Sequence, residues 1–186
     1  MKRLFDAVFA AILISVLSLP MLFIALLVKL TSYGPVLHWS DRIGRDNIIF
    51  KMPKFRTMRA DTPPMATHLM TEPEKFLTSI GGFLRKTSLD ELPQLFSILC
   101  GDMTFVGPRP ALFNQEDLIK LRIAKGVHRI TPGLTGWAQV NGRDDLALHV
   151  KVEYDAYYLK HRSFAFEFRI LGMTAWQAIT GKGVKH

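Results

Sequence analysis

Residues Ala7 to Val28 read AVFAAILISVLSLPMLFIALLV, 22 positions without a charged side chain. A straight α-helix of that length runs about 33 Å at ~1.5 Å per residue, enough to cross the hydrocarbon of a bilayer. A cleaved signal peptide matches poorly, because the apolar run continues past Pro20 into Met21-Leu22-Phe23-Ile24 with no small-residue site to close it. Three forms stay open on this pattern: a spanning helix, a helix that enters one leaflet and returns, or a buried core helix.

The flanks discriminate among them. Lys2 and Arg3 precede the run, and Lys29, Arg42, Arg45, Lys51, Lys54, Arg56 and Arg59 follow it. Basic flanks prefer the cytoplasmic side, so a simple span would put one flank on the wrong face. Pro20 deletes a helical hydrogen bond and crowds the carbonyl four residues back, while Ser15 and Ser18 can satisfy freed backbone groups in lipid. A break there leaves arms of about 13 and 8 apolar residues, each too short to span. The favoured reading is a re-entrant helix-break-helix over residues 1–30, broken at Ser18 and Pro20, with both ends on one face. Asp6, costly in lipid, is expected at the headgroup level beside Lys2 and Arg3.

The whole chain of 186 residues has 24 Lys+Arg against 16 Asp+Glu, a net charge of +8 with His neutral. So basic a chain suits a polyanion: nucleic acid, an anionic membrane surface or a phosphorylated substrate. An apolar content of 48% excludes a disordered chain. The single cysteine, Cys100, excludes an internal disulfide framework and a Cys-based zinc cluster, and its apolar neighbours read as core. No two histidines have the helical spacing of a zinc site, and no G-x-S-x-G occurs.

Residues 31–186 read as one catalytic-sized domain of α+β class, mainly helical. Val36 to Trp39 and Ile48 to Met52 are expected as a short strand pair. Residues 61–75, with prolines at 63, 64 and 73, read as a surface loop. Helical periodicity follows over Leu89–Leu99, Leu118–Ile123, Val150–Arg162 and Phe164–Ile179. The last two are aromatic-rich and amphipathic, a pattern shared by interfacial membrane helices and by helices packed on a small core.

Three stretches could carry chemistry. In Arg85-Lys86-Thr87-Ser88-Leu89-Asp90-Glu91-Leu92-Pro93-Gln94, Ser88 and Glu91 have capping-box spacing, which is the simpler structural explanation. Pro93 argues that the helix starts later, nearer Leu92, leaving Asp90 and Glu91 at its mouth with two cations upstream. Adjacent carboxylates beside cations suit a divalent metal and a phosphate held together. In Gly107-Pro108-Arg109-Pro110 the prolines restrict the backbone around Arg109, which preorganises a guanidinium for bidentate phosphate contact. In Pro132-Gly133-Leu134-Thr135-Gly136-Trp137-Ala138-Gln139-Val140-Asn141-Gly142-Arg143, glycines allow close backbone approach to a ligand, with Asn141, Arg143 and the Trp137 ring as candidate contacts. It matches neither the Walker nor the dinucleotide pattern.

In this order, KFRTM (Lys54 to Met58), SLDELPQ (Ser88 to Gln94), GDMTFVGPRP (Gly101 to Pro110) and PGLTGWAQVNGR (Pro132 to Arg143) resemble the bacterial sugar transferases, small monotopic phosphoglycosyl transferases. The resemblance spans nearly the whole chain. It implies transfer of a sugar-1-phosphate from a UDP-sugar to undecaprenyl (polyprenyl) phosphate with Mg2+, releasing UMP, as the first membrane step of bacterial surface glycoconjugate synthesis. By the same resemblance Asp90 is the nucleophile that becomes phosphorylated, and Glu91 holds the metal or orients Asp90, so that both are metal candidates. Arg85 and the Arg109-Pro110 pair are implied in phosphate or nucleotide binding, with Arg143 and Lys54 beside them. The implied location is the inner (cytoplasmic) membrane, with the domain on the cytoplasmic face in contact with phospholipid and without nucleic acid. The segment Val36-Leu37-His38-Trp39-Ser40-Asp41 departs from the family pattern. A homodimer is compatible with the sequence, which indicates neither the donor sugar nor the pathway.

Other classes explain less. A membrane-anchored nucleic-acid binder accounts for the charge but gives the carboxylate pair and Pro-Arg-Pro no purpose. A phosphohydrolase acting through a phospho-Asp would release free sugar phosphate without a lipid acceptor, and a noncatalytic scaffold would tolerate Asp90→Asn.

Overall fold

The computed structural model describes residues 2–59, 61–62, 73–142 and 146–180. Its first element is the apolar run itself. Helix α1 (Lys2–Thr31) is a single helix of 30 residues with Pro20 inside it, so the expected break at Ser18 and Pro20 does not interrupt the secondary structure. Pro20 still offers no N–H to the carbonyl one turn back. Ser15 and Ser18 turn their hydroxyls onto the Ala11 and Ser15 carbonyls, at 2.9 and 2.8 Å. What holds the helix on course is packing along both halves. Ala10, Leu13, Ile14 and Leu17 join the larger core cluster, and Met21, Ile24, Ala25 and Val28 join a second one.

The rest of the chain supplies the other side of those clusters. Strands β1 (Leu37–Ile43) and β2 (Ile49–Phe55) form the expected pair, antiparallel, each starting one residue later than expected and running on past its expected C-terminal end, with Leu37 opposite Phe55 and Ile43 opposite Ile49. A 3-10 turn at Pro73–Phe76 leads to helix α2 (Gly81–Lys86). A second 3-10 turn, Leu89–Glu91, precedes helix α3 (Gln94–Cys100). Then come β3 (Thr104–Val106), α4 (Glu116–Ala124), β4 (Gly133–Thr135), α5 (Trp137–Val140), α6 (Leu148–His161) and α7 (Phe164–Thr180). Strands β3 and β4 pair in parallel, Thr104 with Gly133 and Val106 with Thr135. That pairing joins segments too short to show strand alternation.

Three side chains near its start tie α1 into the domain. The Arg3 guanidinium donates to the Ile98 and Leu99 carbonyls, at 2.6 and 2.5 Å, capping the C-terminal end of α3. Asp6, expected among lipid headgroups, is instead buried and accepts a 2.6 Å hydrogen bond from the Thr104 hydroxyl. Lys2 beside it reaches Glu167 of α7 at 2.6 Å. The opposite face of α1 carries Leu4, Val8, Ile12, Val16, Leu19, Phe23, Leu26 and Leu30, all exposed and spaced three or four apart, one apolar stripe along the whole helix. Phe164 and Phe168 of α7 extend it where they meet Phe5 edge to face.

Gly133 and Gly136 of the 132–143 stretch make close backbone contact within the protein. A Cβ on Gly133 would collide with the Gly107 amide, and one on Gly136 with the Gly107 carbonyl. The β3–β4 pair can close only without those side chains.

The two faces of α1 predict different mutational outcomes. Ile98, fully buried between α3 and α1, should lose about 2–5 kcal/mol of unfolding free energy on replacement by Ala. Leu19→Ala, on the exposed stripe at 75% exposure, should change stability by less than about 0.5 kcal/mol. Urea titration in detergent compares the two.

Candidate active site

Ser88 and Glu91 do not form a capping box. Ser88 sits in the left-handed region at φ 57°, ψ 17° and makes no side-chain cap. Its backbone turns the chain out of α2 into the 3-10 turn that bears Asp90 and Glu91. The following helix starts at Gln94 with Pro93 before it, close to the later start that Pro93 argues for. Both carboxylates therefore stand just ahead of α3, against the end of β2.

Three segments converge on them. Lys54 of β2 places its ammonium 2.7 Å from Glu91 Oε1 and 3.9 Å from Asp90 Oδ2. Arg109, in the turn after β3, donates to the same Glu91 oxygen at 2.9 Å. Arg85, in the last turn of α2, donates through Nε to the Thr57 hydroxyl at 2.9 Å, and its charge is felt by Asp90. Asp90, Glu91, Lys54, Arg85 and Arg109 thus come together as the sequence expects. Pro110 contributes its carbonyl, which accepts from Arg42 at 3.2 Å. Arg143 lies outside the described residues. Asn141 and Trp137 are engaged elsewhere: Asn141 donates to the Trp137 carbonyl at 2.7 Å, and the indole packs on Phe166, ring centres 5.0 Å apart.

The two carboxyls differ in electrostatics. Burial holds the Asp90 carboxyl above its usual range, with Glu91 repelling its charge, although Lys54, Arg85 and Arg109 pull the other way. Burial also works against charge on Glu91, but Arg109 and Lys54, by charge and by hydrogen bond, outweigh it and hold Glu91 far below the carboxylate range. Glu91 is a fixed anion locked between two cations. Asp90 is a buried carboxylate that accepts no hydrogen bond among the described residues, so its lone pairs are available.

That donor set suits a magnesium ion. Mg2+ takes one or two carboxylates and completes its shell with water and substrate phosphate oxygens. Asp90 and the second oxygen of Glu91 offer hard oxygen ligands in this form. No group of three or more His, Cys, Asp or Glu is assembled among the described residues, so an all-protein cage is not present there.

Several further residues near the site are not singled out by the sequence reading. His38 lies opposite Lys54 across the β1–β2 pair. Desolvation of its ring, and then the charges of Lys54, Arg42 and Arg85, keep the imidazole below its usual pKa. Thr57 lies inside the Lys54–Met58 motif, but its bond to Arg85 depends on two segments meeting. Arg122 of α4 and Asp155 of α6 form a buried pair at 2.6 Å. A lone acid on the otherwise apolar face of α6 was the signal that could have marked it.

A buried carboxylate with no hydrogen bond among the described residues stands beside a clamped one, with three cations around them and an apolar helix along the same domain. The chain belongs to the bacterial sugar transferase family, whose sequence pattern matches residues 1–181. It is 37% identical over 185 residues to the uncharacterized sugar transferase EpsL of Bacillus subtilis (strain 168), covering 100% of this chain and 90% of that protein. It is 36% identical to a UDP-glucose:undecaprenyl-phosphate glucose-1-phosphate transferase of Escherichia coli (strain K12), covering 98% of this chain and 41% of that protein. A UDP-N-acetylgalactosamine-undecaprenyl-phosphate N-acetylgalactosaminephosphotransferase of Aeromonas hydrophila is 35% identical, with 99% of this chain and 45% of that protein covered. The chain thus spans less than half the length of these two named transferases.

The opposed carboxyl environments give an opposed pair of stability effects. Asp90 has a raised folded-state pKa, so folding is penalised once pH rises above the unfolded value of 3.8. Asp90→Asn should therefore raise the unfolding temperature at pH 7 and change little below pH 3.8. Glu91 has a lowered pKa, and its stabilisation is present above 4.5 and lost as pH falls. Glu91→Gln should lower the unfolding temperature at pH 7, since Lys54 and Arg109 then lose their shared anion. Thermal scans at both pH values read the two signs.

Proposed function

We propose that this chain transfers a sugar-1-phosphate from a UDP-sugar to undecaprenyl phosphate in two steps through a covalent Asp90 phosphosugar. The observation that carries the reading is the Asp90 carboxylate: buried, free of hydrogen bonds among the described residues, and flanked by the cations a diphosphate needs. The names of the Escherichia coli and Aeromonas hydrophila relatives supply the substrate class.

In the first step an Asp90 oxygen attacks the sugar-bearing phosphorus of the donor. The bond from that phosphorus to the bridging oxygen breaks, and UMP leaves with the electron pair. In the second step an oxygen of undecaprenyl phosphate attacks the same phosphorus, frees the Asp90 carboxylate and forms the polyprenyl diphosphosugar. Neither leaving group needs a proton, since one is a phosphate and the other a carboxylate. Arg85 and Arg109 neutralise the diphosphate and the charge of the transferring group. Glu91 keeps Lys54 and Arg109 aimed at the reacting centre. Mg2+, held by Asp90 and Glu91 when bound, would supply charge neutralisation on the donor diphosphate.

The acceptor resides in a membrane, and the architecture suits that. Both halves of α1 pack on the same domain, so a bilayer cannot separate them. The reading that follows is that α1 enters one leaflet without crossing, lays its apolar stripe in lipid and keeps both ends at one face. UDP-sugars are cytoplasmic metabolites and both flanks are basic, so that face is the cytoplasmic one of the bacterial inner membrane.

Two experiments test this. Enzyme, magnesium and donor alone should exchange labelled UMP into the UDP-sugar. Asp90→Asn should abolish the exchange, Glu91→Gln should slow it, and Arg85→Ala and Arg109→Ala should each reduce it by about 100-fold or more. Exchange that begins only when polyprenyl phosphate is added would instead indicate a ternary complex. For topology, Lys2→Cys and Tyr33→Cys, each in a Cys100→Ser background, should be equally protected from an impermeant thiol reagent in intact cells. Labelling of one position alone would establish a span.

A further inference from the structure

Arg109 stands in a turn whose backbone has almost no freedom of its own. Pro108 and Pro110 have no N–H to donate, so the turn is anchored through its carbonyls, and four in succession are each taken by a donor. The Gly133 amide donates to the Pro108 carbonyl at 2.9 Å. Arg122 Nη1 donates to the Arg109 carbonyl at 2.8 Å. Arg42 Nη1 donates to the Pro110 carbonyl at 3.2 Å, and the Ile43 amide to the Ala111 carbonyl at 2.9 Å. The donors come from β4, α4 and β1, so the turn is the point where these elements meet.

Arg122 is itself held by a buried carboxylate. Its Nε and Nη2 both donate to Asp155 Oδ2, at 3.0 and 2.6 Å, and the side chains are only 10% and 1% exposed. The planar fork leaves Nη1 pointing at the residue that bears the phosphate-facing guanidinium. A buried ion pair is weak evidence for stability, since apolar residues of similar volume often replace one without loss. A pair that directs its spare donor onto Arg109 has a more specific use. We infer that Arg122, oriented by Asp155, is a positioning residue for Arg109, fixing the backbone from which Arg109 reaches Glu91 and the transferring phosphate. This rests on the proposed role of Arg109.

The test is a double-mutant cycle on turnover, with UMP release from the UDP-sugar as the readout. The pair is removed as a unit by Arg122→Met with Asp155→Leu, which leaves no buried charge behind. With Arg109 intact, kcat/KM should fall on the order of tenfold to a hundredfold, the scale of a misplaced group, while the unfolding temperature stays near that of the parent. In an Arg109→Ala background the same pair of changes should cost less than about twofold, because the group being positioned is gone. Arg122→Lys keeps a charge for Asp155 and provides the second variant. It should fold, retain more activity than the paired replacement, and lose its remaining deficit when Arg109 is Ala. Equal losses with and without Arg109 would make Arg122 a general structural residue and overturn the inference. Unchanged turnover in the paired variant would overturn it as well. If Arg109→Ala alone were fully active, the phosphate role of Arg109 would fall and the positioning role with it, an outcome distinct from additive losses.

Discussion

The Glu91 carboxylate, held at 2.7 Å by Lys54 and at 2.9 Å by Arg109, is the contact on which the site depends. It joins a strand, a 3-10 turn and a proline-bounded turn that are far apart in the chain. A charge-assisted bond to each cation makes the junction stronger than neutral hydrogen bonds would be. It also sets the state of its neighbour. With Glu91 kept ionised and already neutralised, Lys54 and Arg109 only partly offset the burial of Asp90. The result is one carboxyl held well below its usual range and one held above it, a division that adjacency in sequence does not specify.

The apolar helix serves two solvents. One side of α1 completes the protein core, where Ala10, Ile24 and Val28 are buried. The other side is a stripe of large apolar residues that water would not tolerate at this length. The core side accounts for the unbroken helix at Pro20, because contacts on both sides of the proline hold a common axis. Arg3 adds a further link, since it caps the C-terminal end of α3 while the carboxylate pair precedes that helix. The seven residues of α3 thus lie between the start of α1 and the carboxylate pair.

Backbone-to-backbone approach does comparable work deeper in the molecule. Gly107 meets Gly133 and Gly136 at distances that exclude any side chain. Their contact brings β3 beside β4 and delivers the Arg109 turn to its place. Gly107, Gly133 and Gly136 thus hold together the scaffold that carries Arg109.

Much of this was legible in the sequence, for definite reasons. The uncharged run, the helical period of α4, α6 and α7, the two-strand segment and a start of α3 later than Ser88, expected nearer Leu92, are local properties, expressed by residues that are neighbours in the chain. Lys54, Asp90, Glu91 and Arg109 stood out through three of the ordered motifs, Arg85 through its place five residues before Asp90, and the basic balance pointed to an anionic partner. What the tertiary structure decided is everything that depends on which distant segments meet. The burial of Asp6 on Thr104, the parallel pairing of β3 with β4, the separate electrostatic fates of Asp90 and Glu91, and the grip of Arg122 on the Arg109 carbonyl all join residues with no common period or motif. Such contacts leave no trace in a local pattern, because their energy comes from packing and charge brought together only when the chain has folded.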